Sequence, residues 1–137
     1  MEDKMKKHIL VLTHGDFGAS LLNSAQMIIG DLDDVSSVSL VPEDSGDTFY
    51  EKVEKEISTI SKDIVCLVDL FGGSPCNTAL RLSQNRKIDI VCGLNLPMFI
   101  ELYNQISISE DFNSEGLIST AKDNIFDVVK KFSAKNG

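Results

Sequence analysis

The chain is poor in the residues that staple a fold, ligate metals or neutralise nucleic acid. Its three cysteines, Cys66, Cys76 and Cys92, are odd in number and have no Cys-x-x-Cys spacing. They read as reduced thiols, not a disulfide framework or a zinc cluster. Histidine occurs twice, at His8 and His14. A strand over this stretch holds the two roughly 20 Å apart, so they share no metal, and no metal site is expected. Lys and Arg number 13 against 21 Asp and Glu, a net charge of -8. That balance argues against a nucleic-acid binder, which needs basic patches to neutralise phosphates, and suits docking of a basic protein surface. Long apolar runs are also missing. Ile9–Leu12 is far too short for an export or membrane segment, so the expected location is cytoplasmic, without direct membrane insertion. Neither a Walker A sequence nor Gly-x-Gly-x-x-Gly occurs, and no nucleotide or other cofactor is expected.

What is present is ordinary for a globular protein: 137 residues, 42% hydrophobic and 25% charged. Such a length makes one domain with its own core, expected over 1–137 with residues 1–6 and 133–137 as tails. Ile9–Leu12, Val35–Val41, Ile64–Val68 and Ile88–Cys92 read as strands. Between them, Leu21, Leu22, Ala25, Ile28 and Ile29 keep helical spacing up to a stop at Gly30. Phe49, Val53, Ile57 and Ile60 form a second stripe behind a Thr48–Glu51 capping box. Ser74-Pro75 opens a third helix, with Ser74 as its cap. Asn95-Leu96-Pro97 opens a fourth, and Ser114 caps a last one with Leu117, Ile118, Ala121 and Ile125 inward. The alternation predicts an α/β fold: an open, mostly parallel four-stranded sheet, order 2-1-3-4, with helices on both faces. Cys66, Cys76 and Cys92 are expected in its core.

In that order the first and third strands meet at the switch point, where open α/β sheets bind ligands beyond the carboxyl ends of their strands. His14 ends the first strand and Asp69 the third, so residues 55 positions apart are expected to touch. A carboxylate that accepts one imidazole proton fixes the tautomer and leaves the other nitrogen as a nucleophile. Gly72 and Gly73 let backbone amides approach an anion, the helix at Ser74 offers unpaired N–H groups, and Gly15 shapes the first loop. Read alone, Asp69 serves equally as a turn residue and Ser74 as a cap; together with His14 they point to phosphoryl chemistry. A Ser-His-Asp hydrolase fails because the residue after Ser74 is Pro75, which has no N–H for an oxyanion hole. Phe17, Phe71, Leu96 and Met98 surround the crevice, as core or as an apolar collar for a protein partner.

Three segments carry a resemblance: ILVLTHG at 9–15, LVDLFGGSPCN at 67–77 and GLNLPM at 93–98. With them the chain resembles, from about Lys7 to about Phe132, the IIA component of the mannose-family phosphotransferase system (PTS). The resemblance implies that His14 accepts a phosphoryl group from the phosphocarrier HPr and passes it to a IIB component, which works with membrane IIC and IID components in sugar uptake. It also implies that Asp69 orients the imidazole and that Ser74 and the loop amides bind the phosphoryl oxygens. A homodimer is implied too, its sheet completed by a swapped antiparallel C-terminal strand. Residues 125–132 are either that strand or a continuation of the last helix, since Ile125, Val128, Val129 and Phe132 suit both. The sequence ends at Gly137, so IIB is expected on a separate polypeptide. The alternatives are a phosphohistidine carrier of a dihydroxyacetone kinase-type relay, a regulatory binding module on the same fold, and a hydrolase or anion-binding protein.

Overall fold

A computed structural model describes residues 5–109 and 111–136. Its order is β1 (Lys7–His14), α1 (Phe17–Ile29), β2 (Val35–Leu40), α2 (Gly46–Ile57), β3 (Asp63–Val68), α3 (Ser74–Ser83), β4 (Ile88–Cys92) and α4 (Leu96–Asn104). A short π-helical turn (Gln105–Ser109), α5 (Ser114–Asp123) and α6 (Val128–Asn136) follow. The four strands form one sheet in the order β2-β1-β3-β4, every pairing parallel. The expected topology is present.

Side chains alternate between the faces of a strand, and the core divides accordingly. Ile9 and Val11 of β1, with Val65 and Leu67 of β3, pack under α1, α4 and α5 through Leu21, Ala25, Phe99, Leu102 and Leu117. Leu10, Leu12, Ile64, Cys66 and Val68 face the other way, onto Phe49, Val53 and Ile57 of α2 and Ala79 and Leu82 of α3. Both faces of the central strands are thus covered, which is why their sequences are continuously apolar. All four strands also end on the same side, and that side carries His14.

Several expectations are corrected. The cap of α2 is Ser45, whose hydroxyl accepts the Thr48 N–H while the Thr48 hydroxyl accepts the Ser45 N–H. The box therefore starts three residues earlier than Thr48–Glu51. Asn113, not Ser114, caps α5, and Ile118 and Ile125 lie exposed there. Cys92 is exposed, because β4 is an edge strand, while Cys66 and Cys76 are buried. Met5, assigned to a tail, is buried in the core, and its carbonyl accepts from Lys62 Nζ. Residues 1–4 and 137 of the expected tails lie outside the described residues. At the other end the chain breaks at Asn124 and restarts as α6, so residues 125–132 neither continue α5 nor form a strand within this chain. Among the described residues no helix is long and apolar enough to cross a membrane.

Candidate active site

His14 is the last residue of β1, and Asp69 stands one residue past β3. Their strands are neighbours, which closes the 55-residue gap. The Asp69 Oδ2 accepts the His14 backbone N–H at 2.8 Å and lies 2.8 Å from Nδ1, while Oδ1 accepts the Leu70 N–H at 3.0 Å. Burial alone would raise the Asp69 pKa. The His14 amide, the imidazole and the Leu70 amide together outweigh it and hold the carboxyl below its ordinary 3.8. An ionised carboxylate only accepts hydrogen bonds, so the shared proton sits on Nδ1, and Nε2 of the neutral ring keeps its lone pair. The His14 side chain is 46% exposed and that of Asp69 11%. The carboxylate is anchored while the ring meets solvent.

The free edge of the ring faces the Gly72-Gly73 turn. Gly72 has φ +88°, a left-handed conformation in which glycine avoids the cost of a side chain. The Asn77 side-chain amide donates to the Gly72 carbonyl at 3.3 Å. Gly73 occupies the cap position of α3 at φ -85°. Ser74 is therefore the first helical residue and not the expected cap. With Pro75 also in the first turn, the helix start directs backbone N–H groups and the positive end of its dipole towards His14.

The loop after His14 is held from beneath by Thr13, a residue to which sequence reasoning gave no role. Thr13 is buried; its hydroxyl accepts the Gly18 N–H at 2.8 Å and donates to the Gly15 carbonyl at 3.3 Å. Gly15 itself, at φ +57°, donates its N–H to the Leu40 carbonyl at 2.7 Å. A lone threonine ending an apolar run was the available signal.

The collar is partly as expected. Phe71 is 77% exposed and Phe17 46%, joined by Leu70. Leu96 is half-buried and shares with Phe17 and Leu21 a recess of about 400 Å³ between α1 and α4. Met98 is only 3% exposed. In the first turn of α4 its side chain packs into the core cluster with Leu67 and Val91, so it belongs to the core and leaves the collar.

The family model for the PTS system fructose IIA component (EIIA-man) matches residues 8–115. A sorbose-specific EIIA component from Klebsiella pneumoniae is 34% identical over 107 residues, covering 76% of this chain and 78% of the relative. The mannose-specific EIIAB component of Escherichia coli K12 is 29% identical over 130 residues, 93% of this chain. The chain spans only 40% of that longer relative. Among solved structures, a PTS IIA protein associated with the fucose utilization operon of Streptococcus pneumoniae superposes with a TM-score of 0.84. It is 29% identical, over 93% of this chain and 97% of that one. The chain belongs to the EIIA-man family of phosphotransferase-system IIA components.

Proposed function

We infer that the protein is a phosphoryl carrier in which His14 Nε2 accepts a phosphoryl group from phospho-HPr and hands it to a IIB component in the cytoplasm. The observation that carries this reading is the double grip of one Asp69 oxygen on the amide and Nδ1 of His14. In the neutral ring it puts the proton on Nδ1 and leaves the Nε2 lone pair facing the Gly72-Gly73 turn. In the forward step the Nε2 lone pair forms a bond to phosphorus as the N–P bond of the donor histidine breaks, and that imidazole leaves with the bonding pair. Positive charge developing on the His14 ring is stabilised through Nδ1–H by Asp69. Ser74 and the amides of the Gly72-Gly73 turn offset the negative charge of the phosphoryl oxygens. Phosphohistidine donor and phosphohistidine product are chemically alike, so positioning and electrostatics suffice for the reaction. Gly15 serves by shaping the loop, and the Phe17, Leu70 and Phe71 collar offers apolar contact to the proteins that dock there.

Intact mass after mixing with phosphoenolpyruvate, enzyme I and HPr tests the reading. One acid-labile phosphoryl group is expected on the wild type and none on His14→Ala. Asp69→Asn should slow uptake by on the order of 100-fold, the scale of a lost proton-positioning partner. An unlabelled wild type beside phosphorylated HPr would instead favour a binding module. The acceptor is assigned by adding a IIB protein, and transfer only to a dihydroxyacetone kinase-type partner would select that relay.

The same reading includes a homodimer. Support comes from the apolar C-terminal segment, where Ile125, Phe126, Val128, Val129 and Phe132 are all exposed. It comes also from β4, which pairs only with β3 among the described residues.

A further inference from the structure

Beside Ser74, and away from the apolar collar, lies a polar recess of about 220 Å³ between the start of α2 and the outer face of α3. It is lined by Gly46, Asp47, Tyr50, Ser74, Asn77, Thr78 and Arg81. Asn77, Thr78 and Arg81 follow Ser74 at helical spacing, so the recess runs from the helix start for two turns, about 10 Å. Arg81 closes it, with the guanidinium carbon 3.9 Å from the centre of the Tyr50 ring.

Arg81 differs from the other arginine of the chain and from three of its lysines. Lys52 is paired with Asp44, Lys62 with Asp34 and Lys87 with Asp63, while Arg86 donates to the carbonyls of Ile57, Ile60 and Lys62. Among the described residues the Arg81 guanidinium forms no ion pair and no hydrogen bond; its one interaction is the stacking on Tyr50. Even Asp47, on the opposite lip, is not within ion-pair distance. Within a chain of net charge -8 the guanidinium, held on Tyr50, stays available to a carboxylate from another protein. Stacking satisfies the face of the guanidinium and fixes its plane, leaving the edge donors open to a planar, two-oxygen acceptor.

We propose that Arg81 anchors a carboxylate of the protein that delivers the phosphoryl group to His14. This rests on the phosphocarrier reading above. A typical interface covers about 800 Å² per partner, a disc of radius about 16 Å. The recess opens beside Ser74, at the end of α3 nearest His14, so an acidic side chain at the edge of a donor protein seated over His14 enters it there. Asp16, Glu43 and Asp47, all exposed at this end of the sheet, meet the donor's basic groups. Arg81 is the opposite charge among them, and it fixes the orientation in which the donor binds. Charge pairs of this kind set register and exclude wrong partners.

The test measures phosphorylation of Arg81→Glu and Arg81→Lys in the full chain, with phospho-HPr as donor over a range of concentrations and with phosphoramidate as a small donor that needs no docking. For Arg81→Glu the KM for phospho-HPr should rise about tenfold with kcat within about twofold, the range of an interfacial arginine. The phosphoramidate rate should match the wild type. Arg81→Lys should fall between, since it keeps the charge but loses the stacked fork. An unchanged KM with an active wild type overturns the proposal and leaves the carrier reading standing. A loss with phosphoramidate as well would place Arg81 in the chemistry and overturn the docking role. A defect confined to transfer onto a IIB protein would assign the contact to the acceptor and overturn it too. A wild type that neither donor labels removes the carrier reading itself.

Discussion

Gly72 and Gly73 are adjacent and chemically identical, yet physics asks different things of them. A Cβ at Gly72 would meet nothing within 4 Å, but the φ of +88° strains any L side chain. Gly73 has a conformation open to every residue, while its added Cβ would lie 2.9 Å from His14 Cε1 and 3.2 Å from Nε2. Gly72→Ala should therefore cost about 1–2 kcal/mol of stability. Gly73→Ala should leave the melting temperature nearly unchanged, because the movable ring gives way, yet slow phosphorylation by on the order of 100-fold, as displaced reacting atoms do. Denaturant melts and uptake rates on both variants separate the two effects; an active Gly73→Ala would show that the ring has room to spare. At this scale the His14 and Asp69 contact was legible, because strand order places both residues at one crevice. The caps were less so. Ser45 and Thr48 both carry hydroxyls three residues apart, and only backbone dihedrals decide which one begins the helix. Met98 was ambiguous for a similar reason: a residue near a helix start faces crevice or core according to the helix's rotation.

At the scale of elements, the two ends of β1 bear the two histidines in opposite settings. His14 is held at the carboxyl end. His8 is buried at the other end, its Nε2 2.8 Å from the Ser36 hydroxyl and its Nδ1 3.7 Å from Asp34. Burial pulls the His8 pKa below its ordinary 6.5, against the opposing influence of Asp34 and Glu56 and together with that of Lys62. The unfolded chain then binds a proton near pH 6.5 that the folded chain refuses. This contribution to stability is complete above pH 6.5 and is lost as pH falls through the lower folded value. Asp69, also depressed, acts in a separate window: its contribution is present above about 3.8 and disappears only at lower pH. The melting temperature should thus drop between pH 7 and pH 5, and His8→Gln should flatten that drop. Equal slopes in the two proteins would assign the acid sensitivity elsewhere. The elements themselves were readable because buried parallel strands are continuous apolar runs and the helices between them keep one apolar stripe. The segment after Asn124 was not, since Ile125, Val128, Val129 and Phe132 serve a strand and a helix equally well.

For the whole molecule, β4 is one of the two open edges of the sheet among the described residues. An apolar groove of about 510 Å³ runs beside it, with Ile90, Cys92, Ile118 and Ile125 among its lining residues. The nine-residue α6 shows Val128, Val129 and Phe132 to solvent. A helix that short is marginal in water without packing, and an uncovered sheet edge invites pairing. Both faults are relieved if the C-terminal segment of a second copy lies along this groove, and the residues left exposed in one chain are then the interface. Sedimentation velocity at micromolar concentration should show a dimer, and Ile125→Asp combined with Phe132→Asp should shift it to monomer while His14 still accepts phosphate. Hydrogen exchange would distinguish the form of the contact. Protection of the outward-facing β4 amides in the dimer means that the segment has added as a strand, whereas rapid exchange there means that it packs as a helix through its side chains. A wild type that sediments as a monomer under these conditions would refute the dimer, and the exposed C-terminal residues would then call for a different partner.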